Sequence, residues 1–165
     1  MSAMRLGTLA AAVVATALLG CGSREQNLSS SKSRRAVTGP AASCDRPSPI
    51  RNTTAGIPEV QGRGEGAQLW GLIMARRFPI VAGRDGVKIV WRMTGSGPLK
   101  LAAYDSRGGR LGLAWGPEPH GGSTYQRPGD EWGSGFQFWR PGCYRLTARR
   151  THGTAEVWLR VGPSH

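Results

Sequence analysis

"VKIVWRMTG", residues Val87–Gly95, alternates Val87, Ile89, Trp91 and Met93 with Lys88, Val90, Arg92 and Thr94. A period of two built from β-branched and aromatic residues is the pattern of a half-buried strand, because successive side chains leave opposite faces. "PLKLAAYDS", Pro98–Ser106, repeats it with Leu99, Leu101 and Ala103 on one face. The intervening "TGSGP" is turn-rich, so the two strands are expected to form a hairpin.

Working outward, "GCYRLTARR" and "TAEVWLRVG" flank "THG" in the same way. Their expected core face carries Tyr144, Leu146 and Ala148 from the first, and Ala155, Val157, Leu159 and Val161 from the second. Cys143 shares the opposite parity with Arg145 and Thr147, which places it outside the main core. Upstream, "AQLWGLIMA" fits a helix through Leu69, Leu72 and Ile73 or a strand; the central Gly71 and the flanking "GRGEG" and "RRFP" favour a strand. "RLGLAW" and "GFQFW" complete the short strands, and no long amphipathic helix is evident. The fold class expected is all-β: a single antiparallel β-sandwich over residues 44–165.

At the N-terminus, Arg5 precedes an apolar run from Leu6 to Leu19, followed by Gly20 and Cys21. The run is shorter than the roughly 20 residues that span a bilayer and has the layout of a secretory signal, residues 1–20. Leu18-Leu19-Gly20-Cys21 resembles the bacterial lipoprotein box. The resemblance implies cleavage before Cys21 and a diacylglycerol on its thiol; two acyl chains hold a soluble domain at a membrane where one does not. Residues 21–43 are rich in Ser, Gly and basic residues, poor in large apolar ones, and read as a flexible stalk. The expected location is the extracytoplasmic face of the cell membrane, lipid-anchored.

Lys and Arg number 22 against 10 acidic residues, a formal net charge of +12. Outside the cell such a surface attracts anionic lipids or anionic envelope polymers. Beside the membrane itself, the candidate partners are therefore those polymers or another envelope protein. Nucleic acid is excluded by export and by the scatter of the basic residues. The excess of Arg over Lys, with abundant Ala, Gly and Pro, equally matches the coding bias of a GC-rich genome.

Lipidation consumes Cys21, leaving Cys44 and Cys143 as an even pair in an oxidising compartment, so a disulfide is expected. Closing a loop of about 100 residues stabilises by at most about 4 to 5 kcal/mol in the chain-entropy model. The run Pro141-Gly142-Cys143-Tyr144-Arg145-Leu146 resembles the turn and penultimate strand of bacterial immunoglobulin-like domains. The stretch Gly116–Val161 is similar to exported lipoproteins of Gram-positive bacteria carrying an immunoglobulin-like β-sandwich, a resemblance that implies architecture and no activity.

"HGGSTYQRPGDEWGSG", His120–Gly135, is expected to be a long ordered loop at one end of the sandwich. His120, Tyr125, Asp130, Glu131 and Trp132 form its candidate binding surface. His120-Gly121 followed by "GCYR" has a faint similarity to the L,D-transpeptidases, which would make Cys143 a nucleophile and His120 its base. That family's Ser/Thr-His-Gly before the cysteine is replaced here by Arg140-Pro141-Gly142, and a disulfide would abolish the thiol. No Gly-x-Ser-x-Gly elbow occurs. His120, Asp130 and Glu131 are of metal-ligating types but lack ligand spacing; Asp130 and Glu131 are expected instead to bond loop amides or pair with Arg127. No catalytic residue, metal or cofactor is therefore assigned.

Six tryptophans are many for one domain, and Trp158 or Trp132 exposed on a flat surface would suit a carbohydrate-binding module. The packing alternative puts Trp70 and Trp91 in the core and uses Trp115, Trp132 and Trp139 to brace the loop. The function expected is a membrane-anchored envelope lipoprotein with a non-catalytic binding or structural domain. The alternatives are a wall-modifying cysteine enzyme or a carbohydrate-binding module.

Overall fold

The computed structural model describes residues 44–164; the expected signal peptide, Cys21 and the stalk lie outside them. The described chain forms eleven strands: β1 (Ile50–Asn52), β2 (Pro58–Gln61), β3 (Arg63–Glu65), β4 (Leu69–Met74), β5 (Val87–Met93), β6 (Lys100–Tyr104), β7 (Arg110–Leu111), β8 (Trp115–Pro119), β9 (Asp130–Phe136), β10 (Gly142–Arg149) and β11 (Thr154–Val161). They make an all-β sandwich of two antiparallel sheets, ordered β1-β2-β4-β5-β9-β8 and β3-β11-β10-β6-β7.

Alternation decides what enters the core. Val87, Ile89, Trp91 and Met93 of β5 are buried between the sheets, as are Tyr144, Leu146 and Ala148 of β10 and the odd-numbered residues Ala155–Val161 of β11. The β10–β11 hairpin pairs Cys143 with Arg160 and Leu146 with Val157, on the parity the sequence predicts. "AQLWGLIMA" is a strand, and Gly71 explains its composition: Gly71 pairs with Trp91, whose ring fills the space a side chain would need.

Three expectations are corrected. The Val87–Met93 and Lys100–Tyr104 strands do not form a hairpin, because both edges of β5 are taken by β4 and β9 while β6 pairs with β10 and β7. Their apolar faces meet across the sandwich, and "TGSGP" carries the chain from one sheet to the other. "RLGLAW" divides into β7 in one sheet and the first residue of β8 in the other. Only Gly135 and Phe136 of "GFQFW" are in a strand, and residues 130–135 of the expected 120–135 loop belong to β9, an interior strand. Glycines at 133 and 135 disguise it: they make room for the Trp115 ring, which packs over both.

Each end of the sandwich carries a tie. At one, Cys44 and Cys143 form the expected disulfide, with a Cα–Cα distance of 5.4 Å and 99 residues of separation. At the other, the side chain of Arg150, 3 % exposed, donates to the carbonyls of Met93 and Gly97, each at 2.8 Å, and to the Asp130 carboxylate. Its guanidinium lies 4.6 Å from the centre of the Trp132 ring. Arg150 follows β10 in one sheet, and its partners Met93 and Asp130 end β5 and begin β9 in the other, so one cation closes the far end of the sandwich.

A Cβ on Gly71 would lie 2.8 Å from Trp91 Cζ3 and 3.0 Å from Ile89 Cγ2, both on fully buried side chains. Gly71→Ala is expected to lower stability by about 1–3 kcal/mol. Gly112→Ala, where a Cβ meets nothing within 4 Å, is expected to change it by less than about 0.5 kcal/mol. Urea denaturation of the two variants measures both, and equal midpoints would contradict the packing described.

Candidate functional site

The same alternation that fills the core sends Lys88, Val90 and Arg92 of β5, Trp70, Leu72 and Met74 of β4, and Glu59 of β2 to the outer face of the six-stranded sheet. The β8–β9 connection, residues 120–129, folds back over this face. Gly129 lets it do so: its φ is +93°, and a Cβ there would lie 2.1 Å from the Met93 carbonyl oxygen. Tyr125 inserts its ring against Trp70, Leu72 and Val90, giving the outer face a small apolar cluster of its own.

Two buried carboxylates anchor the connection. Glu131, its side chain 2 % exposed, accepts from Arg92 Nε at 2.9 Å, from Ser123 Oγ at 2.5 Å and from His120 Nδ1. Burial raises its pKa, but the Ser123 and His120 hydrogen bonds and the Arg92 charge outweigh burial and hold it below the usual carboxylate value. Glu59 accepts from Arg127 Nε at 2.9 Å and Nη2 at 2.5 Å, a bidentate pair, and from Tyr125 Oη at 2.8 Å. The Arg127 bonds lower the Glu59 pKa against its desolvation, while burial and the Glu59 charge push the Tyr125 phenol far up, so it stays a neutral donor.

Between this braced connection and the β1–β2 turn runs an open groove of about 590 Å³. Leu72, Val90 and Ile57 supply an apolar floor, and Met74, 42 % exposed, lies at its margin. Lys88, Thr53, Thr124 and His120 bring polar groups to it. Lys88 has no ion pair among the described residues. His120, with Nδ1 engaged by Glu131, keeps Nε2 as its remaining polar atom.

The candidates named from sequence divide accordingly. His120 is on the groove surface, whereas Tyr125, Glu131 and Trp132 are buried and act behind it. Asp130 and Glu131, adjacent on an extended strand, point to opposite faces: Asp130 meets Arg150 and Glu131 meets Arg92. Neither pairs with Arg127, which is taken by Glu59. Nor do Trp115, Trp132 and Trp139 together brace a loop: Trp132 is in the core, Trp115 covers β9, and Trp139 is 60 % exposed beside the residues that lead into β10. Trp158 is half-buried, with its Nε1 donating to Glu156 at 2.8 Å and Arg145 lying 5.9 Å from the centre of its ring. Sequence reading missed Glu59, Lys88, Ser123 and Arg150; the outward parity of Lys88 on β5 was the one signal it offered for any of them.

Ser123 donates to Glu131 rather than to a histidine, so the Ser–Glu–His group is not a nucleophile–base pair. Cys143 is in the disulfide end of the sandwich, and His120, hydrogen-bonded to Glu131 at the start of β9, is at the other. Among the described residues, no three His, Cys, Asp or Glu side chains gather as a metal-binding group. Comparison with protein-family models, curated proteins and solved structures yields no match.

Both anchoring carboxylates titrate below their unfolded values, near 4.5. Their stabilisation is therefore complete above about pH 4.5 and is lost as pH falls through the lower, folded-state values. Glu131→Gln is expected to destabilise by about 2 kcal/mol at neutral pH, the magnitude for hydrogen bonds to a charged group. The gap to the parent should shrink below pH 4.5. Thermal unfolding of both proteins at pH 7 and pH 3 checks this, and a pH-independent gap would contradict it.

Proposed function

We propose that this chain is an exported lipoprotein of Gram-positive bacterial type, held at the outer face of the cell membrane through lipid on Cys21, whose sandwich binds an envelope component without catalysing a reaction. The N-terminal pattern Leu18–Cys21 supports the anchor, and the Cys44–Cys143 disulfide accords with an oxidising compartment. The sandwich is read as immunoglobulin-like on Tyr144, whose hydroxyl donates to the Arg140 carbonyl at 2.8 Å, as in a tyrosine corner.

The observation that carries the binding reading is the groove, in which an apolar floor lies beside Lys88, a lysine with no ion pair among the described residues. This combination suits an anionic envelope polymer, with phosphate or carboxylate on Lys88 and carbon backbone on Leu72 and Val90. The alternatives have less support. A cysteine enzyme would need Cys143 reduced and a base beside it, and a carbohydrate-binding platform would need Trp132 or Trp158 presented flat to solvent.

The test is titration of the isotopically labelled mature chain, carrying Cys21→Ser, with deacylated lipoteichoic acid followed by NMR. Saturable shifts confined to Thr53, Lys88, Val90 and Thr124 are expected, with affinity reduced about tenfold by Lys88→Gln, the value of one charge-assisted contact. Shifts scattered over the arginines and indifferent to Lys88→Gln would reject the groove as the site.

A further inference from the structure

The disulfide end of the sandwich differs in chemistry from the groove. Three segments meet there. Residues 44–48 lie along β11, with the Ser48 amide donating to the Trp158 carbonyl at 3.0 Å and Arg160 Nη2 to the Cys44 carbonyl at 3.3 Å. The β4–β5 connection is tied to the chain after β11, Ala82 N donating to Gly162 O at 2.9 Å and Gly162 N to Ile80 O at 2.8 Å. The chain between β9 and β10 joins them, as Gly83 N donates to Phe138 O at 2.9 Å.

These segments expose large apolar groups that the core has no use for. Trp139 is 60 % exposed and Phe78 43 %. Phe78 borders an apolar recess of about 520 Å³ formed with Pro47, Ile50, Pro79, Ile80 and Leu159. Around them stand the exposed Arg46, Arg76, Arg77, Arg84, Arg140 and Arg160, against Asp45 and Asp85. Arg76 approaches Asp85 at 3.9 Å, while Arg77, Arg84 and Arg140 have no ion pair among the described residues. The neighbouring β6–β7 turn adds one acid and one base, Asp105 and Arg107, and leaves the balance unchanged.

We infer that this end of the domain docks directly on an anionic lipid bilayer, with Phe78 and Trp139 at the interface and the arginines among the headgroups. The inference rests on the tethered-lipoprotein reading for its setting. Aromatic side chains favour the boundary between hydrocarbon and water, and each arginine near an anionic leaflet contributes about 1 kcal/mol. On the tethered reading, 23 residues separate Cys21 from Cys44, which lies inside this surface, and a random-coil chain of that length would have a typical reach of roughly 25 Å. Lipidation thus raises the concentration of this face at the membrane, and weak docking becomes effective.

The experiment uses the mature chain with Cys21→Ser, which has no lipid, and vesicles of phosphatidylcholine with or without phosphatidylglycerol. Co-sedimentation is expected with the anionic vesicles and to fall with added salt. Arg77→Gln with Arg84→Gln should weaken it about tenfold or more, whereas Arg63→Gln with Arg149→Gln, an equal loss of charge at the far end, should have a small effect. Trp139→Ser should weaken it also, and all the substituted positions are exposed. Absence of binding to anionic vesicles, or equal loss in the two double variants, would overturn the inference. The anchor stands apart from these outcomes: an unlipidated Cys21 in the native protein would refute the tether and leave vesicle binding unaltered.

Discussion

The Trp91 indole is the constraint on which the two faces of the main sheet depend. It is fully buried, donates through Nε1 to Ser134 Oγ at 2.8 Å, and meets Phe136 edge-on at a centroid distance of 6.3 Å. Its ring occupies the space over Gly71 on one neighbouring strand, while Trp132 stands opposite it on the other. A slip of β5 by one residue would bury Arg92 and Lys88 and expose the indole, so packing fixes the register. With that register fixed, Lys88, Val90 and Arg92 must face outward, where they become the groove's cation, part of its floor and a partner of Glu131. Core and candidate site are two consequences of one alternation.

The ends of the sandwich are secured by different chemistry. One has a covalent bond between the first described residue and the start of β10. The other has a guanidinium with its donors met by two carbonyls and a carboxylate, and its face on an indole. A buried arginine is tolerable only because its hydrogen bonds are made, and removing a partner would leave buried charge unpaired. The groove's wall, the connection from His120 to Gly129, is held by Glu131 at one point and Glu59 at another. This preorganises a surface that a loop of that length would otherwise have to order on binding.

The strands with regular alternation were legible in the sequence, and so were the β10–β11 pairing and the disulfide. Which strands pair was harder, because alternation states that a strand has an apolar face and not which neighbour it has. Thus β5 and β6 look like a hairpin, and only the occupation of both β5 edges shows otherwise. β9 escaped notice because Gly133 and Gly135, read as turn residues, are small to admit Trp115. The candidate site was half legible: His120 and Tyr125 were found because unusual residue types gathered in one stretch. Glu59, 66 positions from Tyr125, and Arg150, 20 from Asp130, came into play only through the tertiary fold.

The reading proposed for this chain is a disulfide-closed domain on a lipid tether. Intact and peptide-level mass spectrometry of protein extracted from its own membranes without reductant, after alkylation of free thiols, tests it most directly. The account predicts a mature chain beginning at a diacylglycerol-modified Cys21, with Cys44 and Cys143 recovered as one crosslinked peptide. An alkylated Cys143, or a Cys21 without lipid, would contradict it.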